Sequence, residues 1–341
     1  MLKPKLKIDL IIICILVLSI FGCNLIGATN PTNIETPKVS GSGIENNTKA
    51  PASATASPSE IGVNFSNPCI GAPAPEQWNH VVVLMFENSD SFIGSPDMPF
   101  ITELAHNCGT SYDWYDADYR VDGSDDGEYE YDSKPNYATL TNGLSPSDHG
   151  LLDDTYETQT KAESIFDQLK LAGKSFKVYY DAEPGGCSVD FNGDYHDPIR
   201  YYTSMAAICD EHDVPLPTFM KDVNNGNLPA FSIIIPSNDH NMHDNSLQSG
   251  DTWARDFLEP FLNSATYKEG DVALFFLWDE DSPVPNVLIS PSISPGLEVP
   301  VPSGNPISHF SALRTWEEML GLPLLGDTNL APSLLPFFNG S

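Results

Sequence analysis

An α/β fold, with a doubly wound and mostly parallel sheet carrying helices on both faces, is what three features of this 341-residue sequence predict. Continuous apolar and β-branched runs recur from residue 80 onward, as strands buried on both faces require. Segments of helical periodicity lie between them. Three of the apolar runs stop abruptly at polar turns rich in carboxylates or histidines: ENSD, PSNDHNMHD and DEDS. Ligands of open α/β sheets collect outside the carboxyl ends of strands, so these turns can converge although they are far apart in sequence.

Two segments of other character precede this region. Lys3, Lys5 and Lys7 lead into LIIICILVLSIFG, 13 residues from Leu10 to Gly22. A spanning helix needs about 20 apolar residues, so residues 1–22 read as a signal peptide, with an uncleaved N-terminal anchor as the alternative. SIFGC resembles a lipobox, which makes Cys23 the expected lipidation site and predicts membrane attachment through a lipid or anchor. The expected location is extracytoplasmic, as a cell-surface lipoprotein, a membrane-anchored protein or a secreted one. Residues 23–75, with PASATASPSE among them, have the composition of a flexible low-complexity tether. Residues 76–341 are left for one globular domain without internal repeats.

The elements of that domain follow in order. HVVVLMF, from His80, reads as a buried strand, followed by the turn ENSDSF and the helical pattern PFITELAHN. SFKVYY (175–180), AFSIIIP (230–236), VALFFLW (272–278) and NVLIS (286–290) read as further strands. TKAESIFDQLKLAG places Thr160 and Glu163 at capping-box spacing and ends at Gly173. TWARDFLEPFLNSA is helical with Pro260 as a dividing or kinking point. SHFSALRTWEEMLG is a last helix stopped by Gly321 and Pro323.

Composition narrows the chemistry. The chain has 47 Asp and Glu against 16 Lys and Arg, a formal net charge of −31. Such a surface repels nucleic acid, which is excluded as a partner, and concentrates divalent cations. Solubility in a saline medium accounts for much of the charge without any site. With so few basic residues, a site that handled phosphate would neutralise it with metal. Four cysteines follow Cys23: Cys69, Cys108, Cys187 and Cys209. Pairing Cys69 with Cys108 and Cys187 with Cys209 closes two short loops, whereas a four-cysteine zinc site lacks the usual CxxC spacing.

Several residues have the right types for catalysis. Glu87 and Asn88 end the first strand with hard oxygen donors suited to Mg, Mn, Ca or Zn. Asp279, Glu280 and Asp281 crowd three carboxylates at another strand end, where they raise one another's pKa unless cations or solvent compensate. His240 and His243, with Asp239 and Asp244, carry two of only eight histidines in the chain. His309 opens the last helix. Ser133, in YDSKPNYATLTNG, stands where either an N-cap or an activated serine belongs. Taken one at a time, each has a plain explanation as a cap, a turn or a solvated surface.

Together, HVVVLMFENSDSFIG, SKPNYATLTNG, GKSFKVYYDAEPGGC, LPAFSIIIPSNDHNMHD, GDVALFFLWDEDS and SHFSALRTWEEMLGLP resemble, in order, the phosphoesterase family. That family includes bacterial acid phosphatases and phosphatidylcholine-type phospholipases C, within the alkaline-phosphatase-like superfamily. The resemblance implies hydrolysis of phosphate esters through a serine nucleophile and a phosphoserine intermediate, with one or two divalent ions as cofactor and a phosphate ester as substrate. It places Ser133 as nucleophile, with His243 and His309 also catalytic. Glu87, Asn88, Ser133, Asp279, Glu280 and Asp239 become metal ligands, and His240, Lys134 and Asn136 substrate contacts. Two departures stand out: Asn241 occupies a position that is commonly Asp, and Asp281 and Ser282 replace a glycine that often follows the carboxylate pair. The chain stops soon after LPLLG, which favours an acid-phosphatase-like phosphomonoesterase. The alternatives are a phospholipase C-like phosphodiesterase and a non-catalytic surface-binding lipoprotein on the same fold.

Overall fold

The computed structural model describes residues 66–87, 93–117, 131–155, 159–181, 196–300 and 306–340, which all fall within one compact unit, Ile61–Ser341. The predicted signal peptide, Cys23, Asn88 and Cys187 lie outside the described residues. The strands are β1 His80–Phe86, β2 Gly109–Ser111, β3 Trp114–Tyr115, β4 Phe176–Tyr180, β5 Asp213–Pro215, β6 Phe231–Ile235, β7 Val272–Trp278, β8 Asn286–Ile289, β9 Leu297–Glu298 and β10 Ile307–Ser308. The helices are α1 Pro99–Asn107, α2 Ser133–Asn142, α3 Pro146–His149, α4 Ile165–Ala172, α5 Cys209–His212, α6 Thr218–Asn224, α7 Leu247–Leu262, α8 Ala265–Lys268, α9 His309–Leu320 and α10 Leu335–Phe338.

Eight strands form one sheet in the order β5-β4-β6-β1-β7-β8-β2-β9, and β10 pairs with β3 in a small separate ribbon. Pairing is parallel from β5 through β7, while β8 runs antiparallel to both β7 and β2. The predicted α/β class with a mostly parallel, helix-flanked sheet is therefore observed. The three central strands explain it. Val81–Phe86, FSIII and VALFFLW are buried throughout, and only a strand covered on both faces can place every side chain, odd and even, in apolar surroundings. Sequence order also jumps at the centre, because β1 lies between β6 and β7. The C-terminal ends of these neighbours carry the candidate site.

Three local differences from the sequence reading have physical causes. The helix expected from Thr160 begins at Ile165, capped by Ser164, whose hydroxyl and the Asp167 carboxylate form the capping box. Thr160 is held extended instead, because its backbone bonds to Tyr201 and Thr203 in a bridge beside Tyr202. Helix α7 begins at Leu247, behind a Ser246 cap, and Pro260 is accommodated inside its last turn. Residues 69–72, assigned by composition to the tether, belong to the compact unit: Ile70, Gly71 and Ala72 donate backbone bonds to Pro291 and Ile293. Cys69 and Cys108 form the expected disulfide. Cys209 is disulfide-bonded too; Cys187, its expected partner, is not among the described residues.

Two buried ionic features shape the packing. Arg200 donates from Nε to Asp197 at 2.7 Å and from Nη2 to Asp213 at 2.9 Å, with all three side chains almost wholly buried. Burial, and the charge of Asp213 beside it, push the Asp197 carboxyl upward against the pull of Arg200. Glu317, in α9, accepts from Leu325 N at 2.7 Å and from Thr328 Oγ1 at 3.1 Å. Desolvation outweighs these bonds and raises its pKa to about 8. The folded state thus retains this proton at pH values where the unfolded chain has released it. Its contribution to stability is complete below the ordinary carboxyl range and is lost as pH rises towards 8. Glu317→Gln is therefore expected to gain stability relative to the parent as pH increases from about 4 to 8. Urea unfolding at several pH values checks this; a constant difference between the two proteins would refute it.

Candidate active site

The site is assembled from the end of β1, the start of α2, the end of β7 and the segment before the turn Pro198–Tyr201. Ser133 is the first residue of α2, and Asp132, with extended backbone, occupies the cap position before it. The Ser133 hydroxyl is thus not used as a cap and donates to Glu87 Oε2 at 3.0 Å. All ten residues of α2 are buried although most are polar, so its side chains find partners inside: Thr141 bonds Tyr137 O, and Asn142 donates to Tyr202. The helix is held by these bonds as much as by apolar packing, which fixes Ser133 against β1.

Glu87 is fully buried and collects three partners. Besides Ser133, the Tyr137 hydroxyl donates to Oε1 at 2.5 Å, and His196 Nε2 lies 3.2 Å from Oε2. Burial alone would raise its pKa; the His196 imidazole and the three hydrogen-bonding neighbours outweigh that, and the net shift is downward. Asp279 shows the opposite balance. Burial, then the charges of Glu87 and Glu280, push its carboxyl well above the usual range. Glu280 is pushed to about 9 by burial and by Glu87, Asp281, Asp154 and Asp132. Neither carboxylate oxygen of Asp279 meets a hydrogen-bond partner, although the nearby Ser133 hydroxyl favours its charged form, and Glu280 Oε2 is likewise unpartnered.

Buried, mutually repelling carboxylates with unpartnered oxygens are the hard donor set that suits a divalent cation. Among the described residues, no three His, Cys, Asp or Glu side chains converge in metal-binding geometry. Asn88, the amide expected to complete the set, lies outside them.

The structure places the other predicted residues as follows. His309 is fully buried and uses both ring nitrogens: Trp114 Nε1 donates to Nδ1 at 3.3 Å, so the ring proton sits on Nε2 and is donated to the Asp279 carbonyl at 2.5 Å. Burial holds its pKa below the ordinary value. This bond fixes the backbone of Asp279. Lys134 and Asn136, expected at the substrate, are buried in the scaffold. Lys134 Nζ donates to Thr155 O at 2.5 Å, and burial lowers its pKa to about 8. Asn136 accepts from Ala117 N and donates to the carbonyls of Tyr131 and Asp132, tying together the segments on both sides of Ser133.

His243 is partly exposed, with Nδ1 2.7 Å from Asp244 Oδ1 and its ring 5.9 Å from that of His196. His240 Nδ1 lies 2.6 Å from Asp181 Oδ2. Asp239 is exposed in the turn, and its carbonyl accepts from Asn245. Sequence reasoning missed His196 and Tyr137. Tyr137 sits in the quoted SKPNYATLTNG, one helical turn after Ser133 and so on the same face. His196 precedes Asp197-Pro198, a helix-start signal that caps the turn through the Asp197 side chain.

Comparison with known proteins bears on the family and the fold. A model of the phosphoesterase family matches residues 125–284, a span that holds Ser133, His196, His243, Asp279 and Glu280. Over that span the chain is similar to the phosphoesterase family. The activity class this match supports is hydrolysis of ester bonds. It is 28% identical over 274 residues to a phosphatidylinositol-3-phosphatase of Mycobacterium tuberculosis, covering 78% of this chain and 84% of that one. It is 28% identical over 169 residues to a probable acid phosphatase of Kluyveromyces lactis, covering 44% of this chain and 38% of that one. In fold, the chain matches an alkaline phosphatase superfamily protein from Vibrio parahaemolyticus with a TM-score of 0.52 at 15% identity, over 77% of this chain and 71% of that one. A sulfatase-type structure from Bacteroides thetaiotaomicron gives a TM-score of 0.53 at 10% identity, over 78% and 75%.

Proposed function

We propose that this protein hydrolyses phosphate monoesters by way of a phosphoserine on Ser133. The observation that carries the reading is the Ser133 hydroxyl at the first position of α2, donating to the buried Glu87. An ionised carboxylate on the hydroxyl proton draws it from Oγ as Oγ forms its bond to phosphorus and the ester P–O bond breaks. Tyr137 and His196 keep Glu87 ionised and aimed, so the acceptor is in place before substrate enters. His243, partly exposed and oriented by Asp244, is the group suited to protonate the departing oxygen. Water then attacks phosphorus, releases Oγ and yields inorganic phosphate. His240 is assigned to the substrate side of the same rim.

Glu87, Asn88, Asp279 and Glu280 are the residues that would hold a divalent ion. When bound, such an ion supplies Lewis-acid stabilisation of charge on the phosphoryl oxygens and removes the repulsion among the buried carboxylates. Identity and number of ions are left open by the donor set, which is all oxygen and amide. Lipid attachment at Cys23 and residence outside the cytoplasm are proposed on the N-terminal sequence alone.

The likeness to a phosphatidylinositol-3-phosphatase favours including a phosphoinositide among the substrates tested. Hydrolysis of a chromogenic phosphate monoester, a diester, phosphatidylcholine and phosphatidylinositol 3-phosphate by the full chain separates the readings. Turnover of the monoester but not the diester is expected. A chelator is expected to reduce turnover at least about tenfold, with recovery on adding a divalent salt. Chelator-insensitive turnover would rule out the metal, and diester or phosphatidylcholine cleavage would favour a phospholipase C-like enzyme. Absence of turnover on all four would support a binding protein.

A further inference from the structure

The loop between β6 and α7, which carries both rim histidines, is held under conditions that few loops tolerate. Met242 has a φ of 80°, a region that side chains other than Gly, Asn and Asp rarely enter, and it is nevertheless buried. Its side chain rests on Gly250 in α7. A Cβ at Gly250 would meet Met242 Cγ at 2.4 Å and the His240 carbonyl at 3.2 Å, so no other residue fits without moving the loop. Glycine inside a helix is less favourable than alanine, because its backbone loses more freedom on folding. Helix stability is thus given up at this position, and close approach of the loop is what is obtained.

The same loop is fixed at its other points. His240 is bonded through Nδ1 to Asp181, at the end of β4, and its ring stacks on Trp253 at 5.4 Å and 17°. Glu87 N donates to Asn241 O at 3.0 Å, joining the loop to the acceptor of the nucleophile's proton. His240 and His243 therefore stand on either side of a strained, wedged residue and next to the reacting groups.

We propose that Gly250, by leaving room for the buried turn at Met242, and Asp181, by bonding His240, are positioning residues that preset His240 and His243 at the rim of the site before substrate binds. The proposal rests on the phosphoesterase reading for what these imidazoles meet. Its physical content is that the cost of ordering these side chains falls on folding and not on binding. Misplacement of a reacting group by about 1 Å can cost roughly a hundredfold in rate, so the wedge should matter for kcat more than for KM.

The test uses Gly250→Ala, the double variant Gly250→Ala with Met242→Ala, and Asp181→Asn, all in the full chain. With a chromogenic phosphate monoester, Gly250→Ala should lose roughly thirty- to a hundredfold in kcat with little change in KM. Removing the Met242 side chain in the double variant should restore kcat to within about threefold, because the two atoms nearest the added methyl are gone. Ring carbon–proton NMR signals of His240 and His243 should move in Gly250→Ala and return in the double variant. Asp181→Asn, which keeps shape and removes charge, should move the His240 signal and lower kcat about tenfold. A Gly250→Ala protein with kcat within about twofold of the parent, unmoved ring signals, or a folded double variant without recovery would overturn the proposal. Should the parent itself show no turnover, the phosphoesterase reading fails; the ring signals, which need no substrate, still decide the positioning.

Discussion

Ser133→Ala is expected to lower turnover of a phosphate monoester by roughly a thousandfold or more while leaving the fold intact. The expectation of an intact fold comes from the surroundings of Ser133. Its hydroxyl donates to Glu87, which retains Tyr137 and His196 when that contact is lost. The helix begins with Asp132 at the cap, so no cap is removed with the side chain. Steady-state kinetics together with a thermal melt check both halves of the statement. A melt within a few degrees of the parent with turnover retained would remove Ser133 from the mechanism. Loss of turnover together with loss of the fold would be uninformative for alanine alone, so Ser133→Thr, which keeps a hydroxyl, serves as the second variant and should recover part of the rate.

The largest effect on stability is expected at Arg200. Its guanidinium bridges Asp197 and Asp213, and removing it leaves two carboxylates facing each other in a buried space. Breaking a buried pair by removing one partner typically costs about 3–5 kcal/mol, because the charge that remains has no compensation. Arg200→Ala should therefore lower the free energy of unfolding by about that amount in urea titrations at neutral pH. Lysine should not substitute, since one ammonium cannot repeat two divergent N–H donations. A loss below about 1 kcal/mol would mean that water or a rearrangement relieves the two carboxylates. The pair also sits next to the site, because Asp197 follows His196; part of the stability measured here is the rigidity with which that imidazole is presented.

The fold was legible because the central strands leave no ambiguity. HVVVLMF, FSIII and VALFFLW have no polar residue that could face solvent apart from His80, half-buried at the start of its strand, and Ser232, which is itself buried. Their ends were legible for the same reason, and so Glu87, Asp279 and Glu280 were placed correctly at strand termini. Individual side-chain roles in the site were less accessible. Nothing in SHFSALRT tells that His309 points both nitrogens at protein groups, since that depends on Trp114, almost 200 residues earlier. Nothing in SKPNY shows that Lys134 is pinned by Thr155 while Tyr137, two positions beyond Asp132-Ser133-Lys134-Pro135, reaches Glu87. Gly250 looks like an ordinary helical glycine until the Met242 side chain is seen against it. Periodicity reports which face of an element is buried; it does not report which polar partner waits there.

The placement of β1 has a kinetic consequence. Val81 is paired with Phe231 on one side and with Ala273 on the other, so this strand must wait for most of the chain before either neighbour exists. During synthesis its apolar run stays an unpaired edge until β6 has been made, and contacts of such long range form slowly. Glu87 hangs from the end of β1 and Asp279 from the end of β7. The candidate site therefore cannot be assembled until β7 has emerged, and a truncated or stalled chain exposes this edge to aggregation before the site exists.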